Sequence, residues 1–280
     1  MYLVTGATGN AGGELVRALA GAGEPVRALV RDPARADLPA GVDVVAGDLN
    51  RPESIAAALS GVRGAFLLAG YDRMPDTLAE LRRAGVERVV LLSASSVLST
   101  DGDENAVSAY HRASEAAVRQ SGLAWTFLRP HSFMSNALRW VEQLRADDVV
   151  REEFGDVAVA AIDPADIAAV AAAALTGDGH DGHAYRLTGP EALRPADRVR
   201  ILGAALGRPL RFEPIPDDVA REKMSAAMPQ KYVDAFFSFF VDGTLDESTV
   251  LPTVQEVLGR PPRTFAEWAD AHVDAFSRTA

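Results

Sequence analysis

The chain of 280 residues contains no cysteine and only two lysines, Lys223 and Lys231. Without cysteine there can be no internal disulfide, no thiolate nucleophile and no cysteine-ligated zinc or iron–sulfur site. Basic residues are outnumbered, with 28 against 39 acidic ones, and the net charge is −11. Because nucleic-acid binding depends on clustered positive charge, we expect no nucleic-acid partner.

Long apolar runs are also missing. The longest, around Ala168–Leu175 and Ala235–Val241, are too short to cross a bilayer. A strand predicted at Tyr2–Val4 leads us to expect no signal peptide before it. We therefore expect a cytoplasmic protein that does not bind a membrane. With 48% hydrophobic and 24% charged residues, the composition is that of an ordinary globular protein.

Short apolar runs alternate with helical patterns in the first half of the chain. This alternation predicts βαβ units, and strands that are apolar throughout indicate a sheet covered on both faces. We expect an α/β fold: a Rossmann-type, doubly wound parallel sheet over residues 1–150, interwoven with a smaller C-terminal α/β substrate lobe over residues 151–280. The strands of the first half are predicted at Tyr2–Thr5, Val26–Val30, Val42–Ala46, Gly64–Ala69, Val89–Ser93 and Trp125–Leu128, and its helices at Gly13–Ala20, Pro52–Leu59, Met74–Arg83 and Val107–Gln120.

Two further strands are predicted in the second half, at Val157–Ile162 and Ala184–Thr188. Between them, the segment Ala165–Leu175 is apolar nearly all round, which is typical of a buried helix. Asp163 is its expected N-cap, and Pro164 suits the first helical position.

Other local patterns in the second half are interpreted as structural. Thr253–Glu256 and Thr264–Glu267 both have the Thr-x-x-Glu spacing of a capping box, which predicts a helix start at each. His180 and His183 lie in a Gly/Asp-rich segment with no third ligand suggested nearby. We therefore predict a turn there and no metal site.

A glycine-rich turn, Val4-Thr-Gly-Ala-Thr-Gly-Asn-Ala-Gly12, follows the first predicted strand. Gly6 permits the sharp turn into a helix, Gly9 lets a pyrophosphate reach the backbone, and Gly12 lets the helix pack closely on the strand. The helix N-terminus presents free N–H groups and a partial positive charge. The pattern predicts a dinucleotide site, with a plain turn as the alternative, formed by Gly6, Thr8, Gly9, Asn10, Ala11 and Gly12.

The residue after the second strand should select the cofactor. An acidic side chain there binds the ribose 2′-hydroxyl of NAD(H), whereas an arginine pairs with the 2′-phosphate of NADP(H). Arg31 follows Val26–Val30 directly, which favours NADP(H); Asp32 would favour NAD(H) if the strand ended one residue later. Asp48 and Leu49 follow the third strand, where a carboxylate can bind the adenine amino group. Asp48 as a turn or helix cap is the alternative.

Several segments together resemble the NmrA-like branch of the atypical short-chain dehydrogenase/reductase superfamily, in the order expected for it. This resemblance implies a Rossmann-type fold, an NAD(P) cofactor and a small C-terminal substrate lobe. The branch includes NADPH-dependent quinone reductases, alkaloid reductases and redox-sensing regulators without catalysis. The segments are Val4–Gly12, Gly47-Asp-Leu49, Tyr110-His-Arg-Ala-Ser-Glu115, Ser121–Pro130, Phe133-Met-Ser-Asn136, Ile162-Asp-Pro-Ala-Asp-Ile167 and Tyr185-Arg-Leu-Thr-Gly-Pro190.

The superfamily's usual catalytic pair is a tyrosine and a lysine four residues later, whose cation lowers the pKa of the phenol. Here Tyr110 is followed at that spacing by Ser114, and the first 222 residues contain no lysine. His111 is the expected stand-in, because the branch's quinone reductases resemble this chain in carrying a histidine there. A free imidazole titrates near neutral pH. Tyr110 and His111 are therefore the candidate catalytic residues; an exposed, purely structural His111 is the alternative.

Ligands of open α/β sheets bind beyond the carboxyl ends of the strands. At those ends, Ala69 and Gly70 are small enough to admit the nicotinamide half of the cofactor, and Ser93 could hydrogen-bond its ribose or simply form a turn. The resemblance implies that Pro130 flanks the ring. The aromatic stretch Tyr232–Phe240 suits either core packing or a lid over a flat substrate. The predicted substrate pocket contains Tyr71, Ser95, His131, Phe133, Phe236 and Phe240.

The sequence thus predicts an NADP(H)-dependent oxidoreductase that passes a hydride to a small, apolar, conjugated acceptor: a quinone, an imine or a natural-product intermediate. Such acceptors need a weaker proton donor than a ketone does, so His111 or a bound water could supply the proton. A non-catalytic NADP(H) sensor with a protein partner and a cofactor-assisted isomerase or epimerase are the alternatives. A homodimer is possible.

Overall fold

Nine strands are present in the computed structural model, which describes residues 1–277. They are β1 (Tyr2–Thr5), β2 (Val26–Val30), β3 (Asp43–Ala46), β4 (Gly64–Leu68), β5 (Arg88–Leu92), β6 (Ala124–Pro130), β7 (Val149–Glu152), β8 (His183–Leu187) and β9 (Arg211–Pro214). Seven form one parallel sheet in the order β3-β2-β1-β4-β5-β6-β8, while β7 and β9 pair in a second, two-stranded sheet. The predicted Rossmann-type parallel sheet is confirmed.

The described residues also form ten helices and six 3-10 segments. They are α1 (Asn10–Gly21), α2 (Met74–Arg83), α3 (Ala106–Gln120), α4 (Val141–Ala146), α5 (Pro164–Thr176), α6 (Pro195–Ala205), α7 (Asp217–Ala227), α8 (Gln230–Phe240), α9 (Thr253–Leu258) and α10 (Phe265–Ala271), with 3-10 segments at Pro33–Arg35, Pro52–Leu59, Ser95–Leu98, Gly102–Glu104, Met134–Trp140 and Val273–Phe276. Within residues 1–277, no helix is long and apolar enough to span a bilayer.

Alternate residues of each strand belong to different cores, which is why the strands are apolar throughout. Val4 and Phe66 pack with α1 and α5 on one face of the sheet. Their neighbours Leu3 and Leu67 pack with α2, α3 and the Pro52–Leu59 segment on the other face. The doubly wound arrangement therefore follows from strands that are buried on two sides.

The strand predicted at Val157–Ile162 is wrong. The segment makes only single bridges, between Ile162 and Phe133 and between Val159 and Leu193. Its apolar residues are buried because the segment runs between the large sheet and the C-terminal core, not because it pairs along its length. The helix that follows is confirmed: Asp163 caps α5 by accepting the Ala165 N–H at 2.9 Å, and Pro164 is its first residue.

Only one of the two predicted capping boxes forms. Thr264 and Glu267 cap α10 reciprocally, as predicted. Thr253 does not cap α9, because Pro252 already has helical backbone angles and takes the cap position. The helix begins one residue earlier than the pattern indicates, and the Pro252 carbonyl accepts the Glu256 N–H at 2.9 Å.

The C-terminal lobe has its own core. Trp140, Phe265, Trp268 and Phe276 are each about 1% exposed and pack with α6 and the small sheet. A second, smaller cluster is built from α7 and α8. Since α5 packs on α1 and β8 extends the large sheet, the second half of the chain also contributes to the first core.

Candidate cofactor and substrate site

The β1–α1 turn has a backbone that accepts only glycine at two positions. Gly6 has a φ of +61°, in the left-handed region. A Cβ on Gly12 would lie 2.2 Å from the Gly6 carbonyl oxygen and 3.0 Å from that of Thr5. These are backbone atoms and cannot move aside, so the helix can approach the strand this closely only because Gly12 has no side chain.

The N-terminus of α1 is open to a ligand. Its cap residue, Gly9, has no side chain to occupy the free donors, and the first turn contains no acidic residue. The first helical hydrogen bond runs from the Gly13 N–H to the Gly9 carbonyl at 2.8 Å, so the N–H groups before it have no partner within the helix. Thr8, Gly9 and Asn10 are exposed along a cleft of about 230 Å³. These residues fit the diphosphate of a dinucleotide.

Arg31 is exposed directly after β2 and, among the residues described, has no hydrogen bond or ion pair. Asp32 is engaged elsewhere, because its carboxylate accepts the Ala34 N–H at 3.1 Å. Asp48 accepts the Asn50 N–H at 2.9 Å, which is the turn-capping contact weighed above, and its carboxylate lies 3.7 Å from Arg51. Leu49 beside it is buried.

Tyr71 lies near these charges. Burial raises the pKa of its phenol, the Asp48 carboxylate raises it further and the Arg31 guanidinium opposes them. Arg31, Asp48 and Tyr71 therefore share one end of the sheet, beyond β2, β3 and β4.

A mainly apolar pocket of about 370 Å³ opens beyond the carboxyl ends of β4, β5 and β6. It brings together most of the predicted nicotinamide and substrate residues, whereas Gly70, Tyr71 and Tyr110 are not part of its wall. The predicted residues that line it are Ala69, Ser93, Ser95, His111, Pro130, His131, Phe133, Phe236 and Phe240.

Ser114, at the position of the superfamily lysine, links α3 to the loop after β4 by a hydrogen bond. Its hydroxyl accepts the Gly70 N–H at 3.0 Å and donates to the Tyr110 carbonyl at 2.8 Å. The Tyr110 ring lies beside Gly70, with its centroid 4.2 Å from that of His111. Burial raises the pKa of the Tyr110 phenol. No cation replaces the lysine at this position, so nothing there activates the phenol.

His111 is the pocket histidine on α3. Burial lowers the pKa of its imidazole to about 4, and the Glu115 carboxylate opposes that shift only in part. Its Nδ1 is buried without a hydrogen-bond partner in the described part of the chain. His111 is therefore neutral near pH 7, with one ring nitrogen available to a ligand.

A buried carboxylate network below the pocket was not predicted. Glu115, 2% exposed, accepts the Ser93 hydroxyl at 2.8 Å and two hydrogen bonds from Arg129, at 2.8 and 2.6 Å. The network fixes β5, β6 and α3 against one another. Glu115 and Arg129 both lie within the segments that carry the family resemblance, which is the signal that could have found them.

Glu247 is a second functional candidate that the sequence did not reveal. Its carboxylate accepts the Ser95 hydroxyl at 2.5 Å and the Ser132 hydroxyl at 2.6 Å, and it lines the pocket. Its carbonyl oxygen lies 3.0 Å from Nδ1 of His131. Nothing around Glu247 in the sequence marks it, since its partners lie more than a hundred residues away.

His131 is held in one tautomer by this contact. A carbonyl oxygen can only accept, so Nδ1 carries the proton and Nε2 is left as an acceptor. Nε2 is buried and has no partner in residues 1–277. Burial lowers the pKa of the His131 imidazole, while Glu247 opposes the shift. Two neutral histidines thus face the same pocket.

The aromatic stretch on α8 packs partly in a core and partly along the pocket, and the lid stays a prediction. Phe236 and Phe240 are half-buried and line the pocket. Phe239 is buried but also lines the pocket, whereas Phe237 is buried in the smaller cluster and its ring packs edge-on against Phe154 at 5.2 Å. The helix therefore contributes both to the core of the lobe and to the pocket wall.

The predicted turn at His180–His183 is present. The His183 N–H donates to the His180 carbonyl at 3.2 Å, and the His180 imidazole lies 2.9 Å from the Tyr185 hydroxyl.

A glycine turn fit for a diphosphate, joined along one sheet edge to an apolar pocket, defines a dinucleotide-dependent enzyme of the Rossmann type. Residues 6–178 match the model of the NAD(P)H-binding family. The chain belongs to that family and, as predicted, to its NmrA-like, atypical short-chain dehydrogenase/reductase group.

Two relatives align over 99% of both chains. One is the (4-alkanoyl-5-oxo-2,5-dihydrofuran-3-yl)methyl phosphate reductase of Streptomyces griseus, 44% identical over 282 residues. The other is the NAD(P)H azoreductase of Xenophilus azovorans, 38% identical over 287 residues. Among solved structures, an NADPH-dependent quinone oxidoreductase of Escherichia coli superimposes with a TM-score of 0.78, at 24% identity, covering 97% of this chain and 99% of that one. The chain is thus an NAD(P)H-dependent reductase, as predicted.

Proposed function

We propose that this reductase uses NADPH to transfer a hydride to a flat, conjugated acceptor such as a quinone or an unsaturated carbonyl compound. The observation that carries the proposal is the pocket itself: it is mainly apolar, lies at the carboxyl edge of β4–β6 and contains two neutral histidines but no Tyr–Lys pair. The names of the relatives agree, because an unsaturated lactone, an azo compound and a quinone are all conjugated acceptors.

Different groups of the chain would bind different parts of the dinucleotide. The N–H groups at the start of α1 would bind the diphosphate, and Arg31 the 2′-phosphate. Because Asp32 is engaged in a turn, it does not compete for the ribose, which favours NADP(H) over NAD(H). Ala69, Gly70, Ser93 and Pro130 would surround the nicotinamide, which when bound supplies the hydride.

The acceptor would lie between the strand ends and α8. Phe236 and Phe240 offer ring surfaces to a flat molecule, while Ser95 and the free Nε2 of His131 offer polar contacts. We propose that residues 151–280 supply this half of the site to the core of residues 1–150.

Proton delivery is the step for which two sources were predicted. His111, with a pKa of about 4, is neutral near pH 7 and lacks the second ring proton that an imidazolium could give as an acid. Its role is to orient the acceptor by a hydrogen bond, and Tyr110 stays protonated beside it. A water molecule then supplies the proton to the reduced acceptor. This is sufficient for a quinone or an enone, because hydride addition gives a stabilised anion.

The direct test follows NADPH consumption with a quinone, an azo dye and a butenolide, using NADH as a parallel cofactor. We expect turnover with at least one acceptor and a higher kcat/KM with NADPH. Tight NADPH binding without turnover would support the sensor, and product formation without net NADPH consumption the isomerase. A cytoplasmic location and a homodimer stay predictions from the sequence.

A further inference from the structure

A second cavity, of about 340 Å³, adjoins the substrate pocket. The two share the side chains of Ser132, Asn136, Phe236 and Phe240 as lining, so a ligand in one can extend into the other past the two phenylalanines. The second cavity is built mostly by the C-terminal lobe. Apart from Phe236 and Phe240, none of its lining residues has a role in the hydride transfer described above.

Arg198, on α6, is the unusual group in this second cavity. It is only 7% exposed, and its Nε has no hydrogen-bond partner in the described residues. Its only ion pair there is a long one, 3.5 Å from Nη2 to the Glu152 carboxylate. A buried guanidinium normally uses most of its five N–H donors, because each unpaired one costs desolvation energy. Arg198 therefore lines the cavity with a guanidinium whose donors are only partly used.

Three other charged side chains line the cavity: Arg139, Glu152 and Glu153. Arg139 lies against both carboxylates, at 2.8 Å from Glu152 and 3.9 Å from Glu153. Burial raises the pKa of the Glu152 carboxyl, and the two arginines only oppose that shift. Both carboxylates lie within ion-pair distance of Arg139, whereas Arg198 has one long ion pair and a Trp140 ring whose centroid lies 5.5 Å from its guanidinium carbon.

The opposite wall of the cavity is apolar. It includes Met224, Met228 and Phe154, whose ring lies 5.2 Å from that of Phe240. Phe154 has a φ of +56°, the one positive value at a non-glycine residue in the described chain. Such a conformation is strained and persists where surrounding contacts hold it. Here those contacts place an aromatic ring next to the passage between the two cavities.

We infer that the second cavity binds an anionic arm of the acceptor, with a phosphate monoester or a carboxylate at its end against the Arg198 guanidinium. The flat, reducible part occupies the first pocket, the chain of the arm passes Phe236 and Phe240, and the charged end meets the guanidinium. This inference rests on the proposed function and names the substrate class of the same site. A planar guanidinium with free N–H donors is the group best suited to such oxyanions.

The test uses three naphthoquinones that differ only in the end of one alkyl arm: a phosphate, a carboxylate or a neutral alcohol. For the unaltered protein, we expect kcat/KM with NADPH to be at least about tenfold higher for an anionic quinone than for the alcohol, as expected for a charge-assisted contact. The two anionic quinones compared with each other identify which oxyanion the site prefers. Equal values for all three would overturn the inference.

The Arg198→Met variant should lower kcat/KM for the preferred anion about tenfold and for the alcohol less than about twofold. Arg200→Met, at an exposed position of the same helix, is the matched control and should change neither. If Arg198→Met lowers all three equally, Arg198 is only structural. Arg198→Lys keeps the positive charge but loses the planar guanidinium. If the methionine variant does not fold, the lysine variant allows the same comparison of kcat/KM between the preferred anionic quinone and the neutral alcohol. Absence of turnover with every quinone would instead count against the proposed function.

Discussion

The two halves of the site are built in different ways. The cofactor turn lies within Gly6–Gly12 and is defined by backbone atoms and the absence of side chains. The substrate pocket is assembled from side chains far apart in sequence: Ser95 and Glu247, separated by 152 residues, are in direct contact. The first half therefore depends on local chain geometry, and the second on how the C-terminal lobe packs on the sheet.

This difference has a chemical consequence. A backbone turn can recognise a diphosphate that is common to many enzymes, so it need not vary with the reaction. The side chains around the pocket can change with the acceptor while the turn is kept. We therefore expect substitutions in the turn to abolish cofactor binding, and substitutions in the pocket to change the use of the acceptor at constant cofactor affinity.

The largest effect is expected at Gly12. In Gly12→Ala, the new Cβ would lie 2.2 Å from the Gly6 carbonyl, so α1 must move away from β1. We expect NADPH affinity to fall by about 100-fold or more, since forced displacement in a packed site costs about 1–3 kcal/mol and the displaced turn also loses its N–H contacts. Calorimetric titration with NADPH measures this directly.

Gly21→Ala is the matched control, because Gly21 ends the same helix and a Cβ there meets no atom within 4 Å. Its NADPH affinity should equal that of the unaltered protein. Unchanged binding in Gly12→Ala would show that the turn is more adaptable than its geometry indicates, and the contrast between the two halves would be lost.

A smaller, selective effect is expected at Arg31. Its guanidinium is exposed, and no described side chain pairs with it, so a 2′-phosphate would meet little competition. Arg31→Ala should raise the KM for NADPH about 10- to 100-fold, because hydrogen bonds to a charged group contribute about 1.5–3 kcal/mol. The KM for NADH, which lacks the phosphate, should change little.

Steady-state kinetics with both cofactors measures this selectivity. Arg35, at the end of the Pro33–Arg35 segment, is the competing candidate, because it is also exposed. If Arg35→Ala loses the preference for NADPH and Arg31→Ala retains it, the assignment of the 2′-phosphate to Arg31 is wrong.

Sequence reasoning was most successful where the information is local. The strands that alternate with helices and the N-cap Asp163 follow from patterns within a few residues. The same patterns failed where distant packing decides. Val157–Ile162 is apolar because it lies between two cores, not because it is a strand. The cap predicted at Thr253 is instead at Pro252. The β7–β9 pair was missed because its partners are some sixty residues apart.

The candidate site shows the same limit. The predicted substrate residues that line the pocket follow a strand or lie on an aromatic helix, and both features are visible in the sequence; Tyr71, predicted with them, is not part of the wall. Glu247 was missed because its meaning comes only from its contacts with Ser95 and Ser132. Arg198 was missed because its unpaired Nε is a property of the packed lobe. Burial and pairing of charged groups cannot be read from their spacing along the chain.

On the pocket side, the largest expected change is at Glu247. Glu247→Gln replaces one accepting oxygen with an NH₂ group that faces hydroxyl and N–H donors, at Ser95 on one side or Ser132 on the other. A buried hydrogen-bonding group left without a partner costs about 1–3 kcal/mol, so we expect kcat/KM for a quinone to fall about tenfold. The Kd for NADPH should stay unchanged.

Quinone reduction rates and NADPH titrations on the same preparation separate these two quantities. Glu256→Gln is the control, since it makes the same chemical change at an exposed position of α9 that lines neither cavity. Weaker NADPH binding in Glu247→Gln, by the same factor as the loss of kcat/KM, would mean that the two halves are not independent.

The smallest expected change is in the pH profile. The buried imidazole of His111 has a pKa of about 4, so it stays neutral from pH 8 down to pH 6. We expect kcat/KM for a quinone to vary less than about twofold over that range, because His111 does not titrate there and burial also lowers the pKa of His131 below its ordinary value. At lower pH, the same lowered pKa sets the direction in which the stability of the folded protein changes. The unfolded chain, with an ordinary histidine pKa near 6.5, takes up the proton first, so stability is full above pH 6.5 and falls toward pH 4.

His111→Gln keeps a hydrogen-bonding side chain but cannot titrate, which makes it the matched variant for this profile. Its kcat/KM should be lower by a constant factor, with the same flat dependence on pH between 6 and 8. A limb near pH 6.5 that is present in the unaltered protein and absent in His111→Gln would show that the histidine titrates in the working site and donates the proton itself. His111, and not water, would then be the proton donor, and it would act in the part of the site where the superfamily places its tyrosine and lysine.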